Sequence, residues 1–196
     1  MTRLSRIVLL AVSAGLLAML VLPIWSIHLQ APQYPEGLGM HVWLGTVRGI
    51  GQHDLANINE LNHYIGMKRI EPDTIAELRF MPLLVAGMAA LGLLAGALGR
   101  RWLLYAWSVL FIAMAAAGLG DFYRWLYDYG HDLAPDAAIQ VPGMVYTPPL
   151  IGSKTLLNFT AVSWPAAGGW IAIAAGAAAA YAVVHEMRVA RRAAAA

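Results

Sequence analysis

His63 stands four residues before Met67 in DLANINELNHYIGMKRIEPDTIAELRF, Asp54 to Phe80. On a helix that step puts an imidazole and a thioether on one face, one turn apart. The two donors together suit copper: thioether favours Cu(I), and imidazole accepts either oxidation state. Met40 beside His41, and His131 with Met144, add donors of the same kind, and Glu60 is placed to orient the His63 ring. The chain has no cysteine. That removes disulfides, thiolate metal sites, cysteine nucleophiles and covalent haem attachment. A His/Met set is then the available soft-metal site, with His63, Met67, His41 and His131 as its candidate ligands. The competing reading is ordinary hydrogen bonding and packing in a polar cap.

Asp121, Arg124 and Asp128 form a second group. Three and four residues apart, they can pair along one helical face. His131 and Asp132 follow close behind. The group reads either as ion pairing that anchors a helix end or as a proton relay near a membrane surface. No Ser-His-Asp spacing, phosphate-binding glycine loop or HExxH zinc pattern is present, so an enzyme is the less favoured reading.

The elements that must position these residues follow from hydropathy. The 196 residues are 60% hydrophobic and 12% charged, and the mean hydropathy is +0.60. A bilayer core needs about 20 helical residues, and four apolar runs qualify: 7–27, 80–98, 102–120 and 165–184. The first has arginines ahead of it like a signal peptide, but it is long for one and lacks a cleavage pattern, so it is expected to be retained. Only Gly99, Arg100 and Arg101 separate the second run from the third. Arg3, Arg6, Arg100, Arg101, Arg188, Arg191 and Arg192 all fall on one side of such a bundle. The positive-inside rule makes that side the cytoplasm and places both termini there. Segments 28–79 and 121–164 face the other side and carry ten of the eleven acids and five of the six histidines.

Within the outer segments, Asp54 is a plausible helix N-cap, and Leu55, Ile58, Leu61 and Ile65 recur at helical spacing. Gly66 weakens that helix near its end. A short strand is expected near 41–47, a short helix from Pro72, and continuation of the third span to about Tyr129. The spans hold no ionisable residue or histidine pair, which speaks against an ion-coupled pump and a membrane b-type cytochrome. No Lys/Arg stripe suits nucleic acid. Gly92 and Gly96, spaced GxxxG, and the small-residue fourth run suit close helix packing within the bundle or against a partner.

The phrases LNHYIGMKRIEP, WSIHLQAPQYPEGLGMHVW and DFYRWLYDYGHDLAPDAAIQVPGMVYTPPLIGSKTLLNF carry a family likeness. From about Leu4 to Tyr181 the chain resembles the small four-span membrane proteins encoded beside nitrous oxide reductase of the Sec-exported type. The resemblance implies a periplasmic multicopper enzyme as neighbour and carries over no ligand residue.

The expectation is therefore an all-α membrane protein, with four transmembrane helices and a mixed, loop-rich periplasmic cap, in the bacterial inner membrane. Its partners would be the bilayer and a membrane or periplasmic protein. Its function would be maturation, docking or electron supply of a copper enzyme, with transient copper on the His/Met set. The alternatives are a scaffold or small subunit of a respiratory complex that binds no metal, and a quinol or electron-transfer subunit using the Asp121/Asp128/His131 group.

Overall fold

A computed structural model describes residues 1–195. The chain runs α1 (Arg3–Ala18), β1 (Trp25–Ala31), β2 (Tyr34–Val42), β3 (Val47–Gly49) and α2 (Asp54–Tyr64). A short 3-10 turn (Pro72–Thr74), α3 (Ala76–Leu98), α4 (Arg101–His131), β4 (Gly152–Leu156), β5 (Phe159–Pro165) and α5 (Ala167–Ala194) complete it. Three helices, α3, α4 and α5, are long and apolar enough to cross a membrane.

The outer cap corrects the all-α expectation. It is built on a five-stranded antiparallel sheet of order β3-β2-β1-β5-β4, so the fold is mixed α/β. The first apolar run is not one helix either. It leaves helical structure after Ala18, passes Pro23 and becomes β1. Proline supplies no backbone donor, which suits the break. Beyond it, Trp25, Ile27, Leu29 and Ala31 alternate with Ser26, His28 and Gln30, the period-2 pattern of a half-buried strand.

The sheet joins the two outer segments. β1 pairs with β2 on one side and with β5 on the other, Ile27 opposite both Met40 and Ser163. The inward residues Trp25, Ile27, Leu38, Met40 and Val47 pack on Ile58 of α2 and Leu126 of α4. Trp25 meets Phe122 edge-on at 5.3 Å between ring centres. Lys68–Asp132 (2.6 Å), Tyr129 Oη donating to the Arg69 carbonyl (3.1 Å) and the Ala134 amide donating to the Gly66 carbonyl (2.8 Å) fasten the segments further.

In the bundle, α1 runs antiparallel to α3 and α5. Its start is held by Glu186, which accepts from the Thr2 amide, and Arg6 donates to the Ala97 carbonyl at 2.9 Å. A side chain at Gly92 would strike Ser13 of α1, and one at Gly96 would strike Leu10. The GxxxG pair is thus used in packing within the chain. Leu9, Leu16, Val85, Met88, Leu104, Trp107 and Phe111 form the core of this half.

Candidate functional site: an apolar cleft beneath the sheet

Below the sheet, residues of α3, α4 and α5 line a cleft of about 710 Å³. Phe111, Met114, Gly118 and Phe122 of α4 line it, facing Met81 and Val85 of α3 and Ala172 and Gly176 of α5. Its roof is the inward face of the sheet and α2, including Ile27, Met40 and Ile58. The lining runs along α4 from Phe111 to Tyr129, about 27 Å at 1.5 Å per residue. Ile112, Leu119 and Ile173 at its rim are 59%, 44% and 51% exposed, so the cleft opens sideways from the bundle.

Polar groups gather at the sheet end. Arg124 bridges Glu77 of α3 at 2.9 Å and Asp121 at 2.7 Å, and both acids line the cleft. This clasp joins α3 to α4 at the upper end. Asn62 lines the cleft too, but it is occupied, its amide donating to the Lys68 carbonyl at 3.3 Å. Two lining groups are not satisfied. The Trp43 indole N–H and the Tyr146 hydroxyl are buried without a hydrogen-bond partner. Other deep indoles are paired: Trp25 donates to Ser163 Oγ at 2.8 Å, and Trp107 to the Met88 carbonyl at 2.9 Å.

Tyr146 is 1% exposed although it belongs to a long irregular segment, and backbone contacts explain how it is held. Its amide donates to the Gly130 carbonyl at 2.9 Å, and Gly130 lies against the Thr147 backbone, where a side chain would collide. Trp43 follows β2, and its amide closes a tight turn onto the Thr46 carbonyl at 2.8 Å.

The structure places the predicted ligands apart in kind. α2 ends at Tyr64, and Gly66, at φ 79°, reverses the chain. The Gly66 amide bonds the His63 carbonyl and the Met67 amide bonds the Asn62 carbonyl, the pattern of a Schellman C-cap. The step from His63 to Met67 is therefore not one helical turn. His63 is exposed, whereas Met67 is half-buried in the cleft wall. His41 lies on the outer face of the sheet, and Met40, next in β2, points inward to the core. His131 stacks on Tyr127 at 3.7 Å, and its Nδ1 lies 3.0 Å from Thr147 Oγ1; it does not line the cleft. No three histidines or acids among the described residues are grouped as metal ligands.

The acidic group divides. Asp121 pairs with Arg124, while Asp128 and Asp132 face Lys68 at 3.8 and 2.6 Å. The hydrogen bond to Asp132 leads in holding the Lys68 ammonium above its ordinary range. Burial, then the nearby His28, holds the His41 imidazole below its ordinary value. Asp54 opens α2, but its carboxylate ties β2 to the loop before the helix, accepting from the Gly39 and Gly51 amides at 2.9 Å each.

Sequence reasoning missed Trp43 and Tyr146. Neither sits in a periodic pattern; the one available signal was two large amphipathic aromatics in segments rich in Gly and Pro. Comparison with known proteins returns no matching family model and no matching curated protein.

Proposed function

We propose that this is an accessory protein of the bacterial cytoplasmic membrane, with its arginine-rich end in the cytoplasm and its sheet cap in the periplasm. It holds a lipid-soluble molecule in the cleft beneath that cap. The observation that carries this reading is the cleft itself: about 710 Å³, apolar along its length and polar only near the sheet. Sites for small molecules combine these features, an apolar wall and a few placed polar groups. α1 accompanies the three long helices as a fourth member of the bundle.

The likeness of LNHYIGMKRIEP and its companion phrases to proteins encoded beside nitrous oxide reductase supports a periplasmic copper enzyme as the partner served. Within that setting the geometry favours docking or electron supply over copper delivery. His63 faces solvent on one side of the α2 terminus, and Met67 is turned into the cleft wall on the other.

The test compares the native chain with a Gly118→Phe variant, both purified from the producing membrane. Gly118 lines the cleft, and the nearest atom to an added Cβ is Met81 Cε at 3.7 Å, an ordinary contact, so a bulky side chain starting there is placed to take up cleft space. Mass spectrometry of solvent extracts should find a lipid-soluble molecule retained in stoichiometric amount by the native protein and lost from the variant. Equal retention, or none by either, refutes the reading.

A further inference from the structure

Charge is met differently at the two ends of the molecule. At the sheet end Lys68, Arg69 and Arg124 each face a carboxylate. At the other end the one acidic side chain among the described residues is Glu186, which is fully buried. It accepts from the Thr2 amide and faces Arg101 Nε at 2.9 Å, so one carboxylate gathers the ends of α1, α4 and α5. Arg6 of α1 adds the end of α3 by donating to the Ala97 carbonyl. This gathering also collects guanidinium groups. Arg3 follows Thr2, Arg100 precedes Arg101, and Arg188 stands two residues beyond Glu186. Arg191 and Arg192 follow Arg188 at three- and four-residue spacing on α5, which stays helical to Ala194, so the three share a face. These five arginines are exposed and make no salt bridge among the described residues. Like charges held together repel one another, and a bound anion relieves the repulsion.

The side chains beside them select the anion. Ile7, Leu98 and Trp102 stand one to four residues from these arginines and are exposed. A free phosphate would meet the guanidinium groups and gain nothing from that apolar surface. A phospholipid meets both, and surfaces that bind anionic membranes combine the two. We infer that this end of the bundle binds anionic phospholipid, with phosphate against the unpaired arginines and acyl chains against Ile7, Leu98 and Trp102. The inference is independent of the cleft, and either stands if the other falls.

The full chain in a neutral detergent is titrated with dioleoylphosphatidylglycerol, dioleoylphosphatidylcholine and glycerol phosphate, and retained molecules are counted by native mass spectrometry. An arginine near an anionic lipid surface is worth about five-fold in affinity. Phosphatidylglycerol should therefore bind at least roughly ten-fold more tightly than phosphatidylcholine, and glycerol phosphate should not compete with it. Arg188→Gln/Arg191→Gln/Arg192→Gln should weaken phosphatidylglycerol at least roughly ten-fold and leave phosphatidylcholine as it was. Arg48→Gln/Arg69→Gln/Arg79→Gln removes the same charge near the sheet and should leave both lipids as they were. Melting at the native temperature in lipid-free detergent shows that the α5 variant is folded. If it melts lower, Arg3→Gln/Arg100→Gln, on α1 and the turn before α4, decides by the same comparison. Equal binding of the two lipids overturns the inference, and so does equal weakening by the two triple variants. Competition by glycerol phosphate overturns it too, because the surface would then be one for free phosphate.

Discussion

Glu186 is the most consequential charge in the bundle. It is 0% exposed on the inner side of α5, where three helices meet. One carboxylate oxygen accepts from the Thr2 amide at 2.5 Å, tying the start of α1 to α5. The other faces Arg101 Nε at 2.9 Å, tying in α4. Removing the carboxylate in Glu186→Ala leaves the Thr2 amide without its acceptor. A hydrogen bond to a charged group is worth about 1.5–3 kcal/mol. The Arg101 side chain is 44% exposed, so its share is that of a screened surface pair, about 0.5 kcal/mol. Together the loss is roughly 2–3.5 kcal/mol. For a chain of this length that lowers the melting temperature by about 4–14 °C, at about 2–4 °C per kcal/mol. Glu186→Gln keeps an acceptor for Thr2 and should fall by less than half as much. Arg101→Gln should fall least, because that side chain is partly in solvent. Thermal unfolding in one detergent, followed by circular dichroism at a fixed scan rate, measures all three. Melting of Glu186→Ala at the native temperature, or Arg101→Gln falling further than Glu186→Ala, would refute the reasoning.

Gly66→Ala should cost at least about 1–2 kcal/mol, since φ 79° is disfavoured for a side-chain-bearing residue and the new Cβ would lie 3.0 Å from Ala134 and Ala137; the readout is faster proteolysis of segment 132–145. Gly130→Ala places a methyl on the Thr147 backbone and should detach Tyr146 from its buried position; tyrosine iodination would rise at Tyr146, and an unchanged pattern would count against the Gly130 contact as what holds it. The depressed His41 pKa sets a direction for pH. Above the unfolded value of 6.5 both states are neutral; as pH falls through it the unfolded chain takes the proton first, so stability declines until folded His41 also charges. In His28→Gln the lesser of the two causes is gone, and the NMR titration midpoint of His41 should move upward without reaching the free value.

The long helices were legible because each is a sustained apolar run with a clear end. Gly99 turns α3 into α4 at φ 67°, and α4 continues outward through the aromatic segment to His131. The sheet was hidden for two physical reasons. β1 follows an apolar run without a polar break, so its period-2 alternation reads as the tail of a span. Its partner β5 lies more than 130 positions along the chain, Trp25 opposite Pro165, and pairing at that distance leaves no local signature. The site was less legible still. Spacing gave His63 and Met67 a helical relation that the Gly66 reversal abolishes, although that glycine was visible in the sequence. Asp121 and Arg124 pair as their spacing suggests, but Asp128 answers to Lys68 from the other outer segment.

The cleft itself has a cause that predicts its response to mutation. α4 is held at its lower end by Trp107, which stacks on Phe111 one turn along the same helix and donates to the Met88 carbonyl of α3. At its upper end it is held by Phe122 against Trp25 and by Arg124 on Glu77. Between them α4 offers Ala115, Ala116 and Gly118, and α5 offers Ala172, Gly176 and Ala177. In lipid such residues ordinarily let helices close on one another. Here the small side chains leave the space that forms the cleft, and on the proposed function a molecule from the membrane fills it. Filling it from the protein instead should give effects of opposite sign. Gly118→Leu replaces a helical glycine, a gain of up to about 1 kcal/mol in propensity, and adds apolar contact where there is room. The melting temperature of the ligand-free chain should therefore rise while uptake of an environment-sensitive apolar dye falls. A variant that lost dye uptake and melted lower would show that the space is closely packed structure, and the cleft would no longer be a site.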